Sequence, residues 1–303
     1  MKFWFSAVPP LLLAAPAHAQ LAEPVRAMIE SAYSTGNDAT IAAVVSTAKQ
    51  TNPDDIAEIN RMAAGYAALL ENVRLKEREA NEARIAAAGF LEIWKGEVEF
   101  GASRATGNTR NLGVYGAANL TRDALQWRQK LNARVEIQTT NGETTTERAL
   151  LAYQPNYKFD ERLYVYGIGQ YEHDRFLGYT DRYTLGAGIG YSLIQKPRLK
   201  MDFEGGPAIR HTKFVETGGQ TTPAARASVV TKWTITPTLI LAQSASLYIE
   251  KENSNASATA SLDTKLLGAL KARFSYNVLH ERDALESRKE TDTVSRATLV
   301  YSF

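Results

Sequence analysis

Three histidines lie beyond the first few residues: His173, His211 and His280. They fall in three separate stretches, and no His-x-x-x-His or His-Glu-x-x-His pattern joins any two of them. Local spacing therefore supports no metal site. A nucleophile needs its base within hydrogen-bond reach. Thr212 follows His211 directly, so in a strand the two side chains point to opposite faces. There is no cysteine, which excludes disulfides, thiolate metal sites and a cysteine nucleophile. Gly186, Gly188 and Gly190 imitate a dinucleotide loop only loosely. They sit inside an alternating pattern with no helix following, whereas phosphate binding needs strand, turn and helix in that order. Their smallness reads instead as room left for neighbours in a crowded interior. No catalytic residue, metal or cofactor is expected, and the chain does not read as an enzyme.

The residues left with chemical content are charges at alternate positions. From 126 to 138, Trp127, Leu131, Ala133, Val135 and Ile137 share one face. Arg128, Lys130, Asn132, Arg134, Glu136 and Gln138 share the other. Side chains of a strand alternate between faces, so this is one apolar wall and one charged wall. The same alternation places Lys95, Glu97 and Glu99 against Trp94, Val98 and Phe100. It sets Arg182, Thr184 and three glycines against Tyr183, Leu185, Ala187, Ile189 and Tyr191, and Lys200, Asp202 and Glu204 against Leu199, Met201 and Phe203. Residues 162–173 and 238–250 alternate less cleanly, and their faces cannot be assigned.

Twelve stretches of this kind are expected, at about 93–104, 109–121, 125–138, 146–158, 162–173, 181–193, 198–212, 222–234, 238–250, 257–266, 270–281 and 291–303. Such lengths exceed the usual 5–6 residues of a globular strand and reach the roughly 9–11 that a tilted strand needs to cross a bilayer. Tight turns at Asp123-Ala124, Asp160-Glu161, Lys196-Pro197, 236–238 and Gly268-Ala269 alternate with longer polar connectors at 139–145, 174–180, 213–221, 251–256 and 282–290. Membrane barrels alternate short periplasmic turns with longer outer loops. The expected fold is therefore an all-β membrane barrel of about twelve antiparallel strands over 91–303. Its charged wall lines the lumen, and Trp94, Trp127, Tyr157, Tyr183, Tyr191, Trp233 and Tyr301 form interfacial girdles. An even strand count puts both chain ends on one side. The partner through the apolar wall is outer-membrane lipid. The closing strand ends Leu299, Tyr301, Phe303, similar to the signal that outer-membrane barrels present to their assembly machinery.

Residues 1–19 read as a signal peptide: Lys2, an apolar run from Phe3 to Ala15, then Ala17-His18-Ala19 before Gln20. No stretch beyond it is apolar enough for a spanning helix. Residues 20–90 are helical in pattern and read as a periplasmic region. Helices are expected over about 22–34, 38–50 and from Pro53 to about Ala88, the last opened by Asn52 as cap. Along it Ile56, Ile59, Ala63, Tyr66, Leu70 and Val73 trace a heptad seam. That seam either packs on the two shorter helices or serves self-association or a periplasmic partner. Net charge over 303 residues is only +2, and no nucleic-acid partner is expected.

Trp94-Lys95-Gly96 opening a strand, Thr106-Gly107-Asn108-Thr109 in its hairpin, and Phe176-Leu177-Gly178-Tyr179 followed by Gly186-Ala187-Gly188-Ile189-Gly190-Tyr191 resemble a bacterial family of outer-membrane barrels with a domain of unknown function. Its members carry the name salt-induced outer membrane protein. The likeness covers about 91–303, with Thr-Gly-Asn where the family has Ser-Gly-Asn. It implies an outer-membrane barrel and no particular chemistry. A twelve-stranded phospholipase barrel would show His-x-Ser at a strand edge, and none of the three histidines is followed by it.

The functional expectation rests on the charged wall. Arg128, Lys130, Arg134, Glu136, Arg148, Arg182, Asp202, Glu204, Arg210, Arg226, Arg273 and Arg296 are the lumen-lining candidates. With Lys95, Lys158, Lys200, Lys232, Lys265 and Lys271 the inward cations outnumber the anions Glu97, Glu99, Glu136, Asp202, Glu204 and Asp263. Rings of Arg or Lys favour anions in a pore. The expectation is a small, weakly anion-preferring pore. Its alternative is a non-conducting structural or ligand-binding envelope barrel whose interior charges pair with one another.

Overall fold

The computed structural model describes residues 21–105, 110–215, 218–251, 254–282 and 290–303. The expected signal peptide and the Thr106–Thr109 hairpin motif lie outside them. Internal contacts divide the chain after Arg84 into two compact units.

In the first unit, α1 (Glu23–Ser34) and α2 (Asp38–Thr51) are followed by a single tight turn, Pro53–Asp55, and α3 (Ile56–Ala87). Gly36 ends α1 with φ +64°, a conformation glycine adopts without steric cost. The Asn37 carboxamide then caps α2, accepting from the Ala39 and Thr40 amides at 3.0 and 3.2 Å. Asn52 does not open the third helix. Its side chain turns back and donates to the Ala48 carbonyl at 3.0 Å, closing α2. Leu21, Ile29, Ala48 and Ile59 form the core, with Val44, Met62 and Tyr66 packed on it. The middle of the heptad seam, Ile59, Ala63, Tyr66 and Leu70, is buried or half-buried, while its ends Ile56 and Val73 stay exposed, as does Leu69 beside it.

The second unit is a closed antiparallel barrel. Its strands are β1 (Trp94–Ala105), β2 (Asn111–Asp123), β3 (Trp127–Thr140), β4 (Glu143–Lys158), β5 (Leu163–Asp174) and β6 (Tyr179–Gln195). They continue as β7 (Leu199–Phe214), β8 (Gly218–Thr236), β9 (Leu239–Ile249), β10 (Asn255–Leu267), β11 (Leu270–Glu281) and β12 (Thr291–Ser302). Each pairs with its sequence neighbours, and β12 returns to β1. The closing seam sets Glu97 opposite Ser302 and Phe100 opposite Leu299. Phe303 completes it, exchanging backbone hydrogen bonds with Gly96 at 2.9 and 3.0 Å.

The sorting of side chains is inside out. Arg182 and Arg210 are 1 % exposed, and Glu99, Glu204 and Asp263 are buried. Leu185 is 70 % exposed, and Ile189, Phe203, Ile209 and Phe274 stand exposed with it. A wall of this kind would cost free energy in water, because apolar surface is driven out of water. It fits a surround of hydrocarbon, where a closed barrel leaves no unpaired strand edge. This is an outer-membrane type of β-barrel. Aromatic side chains gather on its outer face at the rim bearing the barrel's two termini, where β1 begins and β12 ends. Trp127 meets Tyr157 edge-on at 5.3 Å, Tyr157 meets Phe159 at 5.4 Å, and Trp94 packs against Phe90.

The outer connector expected at 139–145 is not a loop. Strand pairing runs to Thr140 and resumes at Glu143, around Asn141 and Gly142 with φ +53° and +90°. Asn-Gly is the preferred pair for a two-residue hairpin turn. The 213–221 connector is likewise shortened, with pairing extending to Phe214 opposite Gly218.

Candidate functional site

β5 explains the glycines of β6. Its inward residues are Tyr164, Tyr166 and Ile168, set in register opposite Gly190, Gly188 and Gly186. A Cβ on Gly190 would lie 2.1 Å from the Tyr164 ring. The glycines leave a lane into which two tyrosine rings lie flat. The same rings explain why this strand did not read as alternating: its lumen face is aromatic.

The lane ends in a polar cluster around Glu204 on β7. Its Oε1 accepts from Lys130 Nζ at 3.0 Å, Gln154 Nε2 at 2.8 Å and the Tyr164 hydroxyl at 3.0 Å. Its Oε2 accepts from Arg226 and Ser228, both at 3.2 Å. Lys130 comes from β3, so this cluster cuts across the lumen rather than along the wall. Asp202, one inward position away, accepts from Ser192 at 2.6 Å. A second cluster centres on Arg273, which donates to Asp263 at 2.6 Å, Glu99 at 2.9 Å and Glu97 at 2.7 Å.

Towards the end away from the termini, Arg182 on β6 pairs with Glu281 on β11 at 3.0 Å, across the barrel. Arg148 on β4 reaches Asp174 at 2.6 Å and Asp292 on β12 at 2.9 Å. Arg210 donates to Glu250 at 2.5 Å and to Asn255 at 3.0 Å. Arg296 pairs with Glu136. Several guanidinium groups also lie over tyrosine rings, Arg182 on Tyr179 at 3.8 Å and Arg210 on Tyr248 at 4.1 Å. At the termini end, Arg128 and Lys158 share Asp123 at 3.3 and 2.9 Å.

Most of the candidate cations therefore have carboxylate partners. The excess counted in the sequence omitted Glu172, Asp174, Glu250, Glu281 and Asp292. Glu172 and Glu250 belong to strands whose faces were unassigned, and Asp174 to a segment that read as a loop; Glu281 and Asp292 stand at strand ends, on the inward parity of Arg273 and Arg296, and were left out of the count. Three kinds of cation stand apart. Arg134 makes no ion pair or hydrogen bond with the described residues and opens into a cavity of about 270 Å³. Lys200 and Lys232 are directly opposed in register, as are Lys265 and Lys271. Among the described residues, only Lys271 of these four has a carboxylate, Glu97 at 3.5 Å. Lys95 is exposed at the same rim.

The histidines stand apart from one another. His211 and His280 bond their cross-strand threonines, Thr221 and Thr291, at 2.7 and 2.9 Å, and His173 lies against the Thr180 carbonyl. Among the described residues no group of acidic or histidine side chains could hold a metal ion.

A family model described as "Protein of unknown function, DUF481" matches residues 98–303. "Uncharacterized protein YdiY" of Escherichia coli (strain K12) is 23% identical over 216 residues, 71% of this chain and 85% of that protein. Among solved structures, the NanC porin is 10% identical, covering 68% of this chain and 98% of its own, with a TM-score of 0.45. An outer membrane channel from Pseudomonas putida F1 is 8% identical, covering 69% and 95%, with a TM-score of 0.44. Likeness at that level speaks to neither solute nor selectivity.

Proposed function

The chain belongs to the DUF481 family of proteins of unknown function, and from that premise we propose that it is a narrow outer-membrane pore with a weak preference for anions. The rim bearing the termini faces the periplasm, the helical region 20–90 is periplasmic, and 1–19 is removed as an export signal. Phe303 presents the last strand to the assembly machinery. Exposed Leu69 and Val73 on α3 suit self-association or a periplasmic partner.

One observation carries the anion preference. Lys200 faces Lys232, and Lys265 faces Lys271, on inward rows at one mouth. Like charges directly opposite in a sheet are destabilising, so a fold under no other demand would place an acid or a neutral residue there. Ion pairs elsewhere cancel the wall charge and leave the mouth lysines to set the potential that an entering ion meets. Planar-bilayer recording under a salt gradient tests this. The expected reversal potential is anion-selective, and the double change Lys200→Gln with Lys232→Gln moves it towards zero. A cation-selective potential in the parent protein refutes the reading.

A second reading, a non-conducting barrel, is favoured by the Arg182–Glu281 pair across the lumen, whose side chains are 1 % and 6 % exposed. It predicts a refolded protein that inserts into the bilayer without conductance steps.

A further inference from the structure

The 270 Å³ cavity in the lumen is lined by β3, β4 and β5 on one side and by β9 to β12 on the other. Most charges on its wall are spent on each other. Arg296 holds Glu136, and Arg148 holds Asp174 and Asp292. Two are not spent. Arg134 has no ionic partner among the described residues. Glu172 lies opposite Arg182 in register and 3.9 Å from the nearest Arg210 nitrogen, but Arg182 is held by Glu281 at 3.0 Å and Arg210 by Glu250 at 2.5 Å. Arg210 Nη2 and Glu172 Oε2 are both buried without a hydrogen bond. One free positive and one free negative charge therefore face the same chamber.

Register places them together. Arg134 on β3 lies opposite Leu150 on β4, and Leu150 lies opposite Glu172 on β5. Neighbouring strands are about 4.8 Å apart, so the two charged residues leave the wall about 10 Å apart with one apolar side chain between them. Inward side chains of a closed barrel converge, so their tips come closer than that. The far wall offers hydroxyl and amide groups, among them Ser244, Ser257 and Asn277. The volume is below the roughly 300–1,000 Å³ of drug-sized pockets, which limits the occupant to a few heavy atoms beyond its charged ends.

We infer that this chamber binds a small zwitterion of the α-amino-acid class, its carboxylate on Arg134, its ammonium on Glu172 and its aliphatic side chain over Leu150. Each contact is charge-assisted. A lone anion would answer Arg134 and leave Glu172 unmet, and a lone cation would do the reverse. Binding of this kind requires no conduction, so it stands or falls separately from the pore reading.

The test uses the refolded full chain in detergent micelles and isothermal titration with three probes: norvaline, pentanoate and n-butylamine. Norvaline is expected to bind, and each singly charged analogue to bind about tenfold more weakly or worse. Arg134→Gln is the decisive variant, because Arg134 holds nothing else in place. It is expected to weaken norvaline about tenfold and to leave n-butylamine unchanged. Glu172→Gln is expected to weaken norvaline and leave pentanoate unchanged. Equal binding of the three probes, no norvaline binding by the folded parent, or unchanged affinity in Arg134→Gln overturns the inference.

Discussion

Replacing Glu204 by alanine removes the acceptor at the middle of the cross-lumen cluster. Lys130, Gln154, Tyr164, Arg226 and Ser228 all lose it at once, from contacts of 2.8 to 3.2 Å. Breaking a buried ion pair by deleting one partner costs about 3–5 kcal/mol. Each neutral donor left unsatisfied would add about 1–3 kcal/mol. Those additions are not fully realised, because a pore lumen admits water to the vacated space. The working figure for Glu204→Ala is therefore about 4 kcal/mol. Glu204→Gln keeps one acceptor oxygen and loses the charge, for about 2 kcal/mol. Urea unfolding of the barrel in lipid vesicles, followed by tryptophan emission, measures both. If both variants unfold within about 1 kcal/mol of the parent, the cluster is not a structural brace and the lumen is better hydrated than argued.

Other consequences are as specific. Gly188→Ala would put a Cβ 2.2 Å from the Gly205 carbonyl oxygen and 2.8 Å from the Tyr166 ring; this calls for about 3 kcal/mol of overpacking in the same assay. Gly116→Ala meets nothing within 4 Å and should stay within about 0.5 kcal/mol of the parent. Leu185→Lys, on the lipid face near the middle of β6, should cost about 2–4 kcal/mol in vesicles. In the β4–β5 turn the Asp160 carboxylate accepts from the Arg162 and Leu163 amides, both at 2.7 Å, and these hold its pKa below the usual carboxylate range. Stability from a depressed carboxylate is present above its unfolded pKa and lost as pH falls through its folded one. Protection of those two amides from hydrogen exchange should accordingly fade below about pH 4; protection unchanged down to pH 2 would contradict that.

The barrel was legible where its two walls differ in kind. β3 sets Trp127, Leu131 and Val135 against Arg128, Lys130 and Arg134, and its register follows. β5 was not legible, because Tyr164, Tyr166 and Ile168 face the lumen and look like an outer wall. Only the glycines opposite could have shown otherwise, since a ring packed inward needs a partner without a Cβ. The Asn141-Gly142 hairpin was written in the sequence as a turn signal, but polar residues around it suggested a loop. Pairing of the lumen charges was hidden for a different reason. Arg182 and Glu281 are about a hundred positions apart, and only closure of the barrel brings them together. In the helical unit the heptad seam was visible, while the role of Asn52 depended on which neighbouring carbonyl lay nearer.

The account depends on hydrocarbon outside and water inside a single layer of strands. Spin labels placed one at a time at 131 to 138 along β3, in the protein refolded into lipid vesicles, test it most directly. Collision with oxygen dissolved in lipid should be high at Leu131, Ala133, Val135 and Ile137 and low at Asn132, Arg134, Glu136 and Gln138, in a strict two-residue rhythm. Equal access at both sets of positions, or a folded monomer in buffer free of detergent and lipid, would contradict the membrane-spanning barrel.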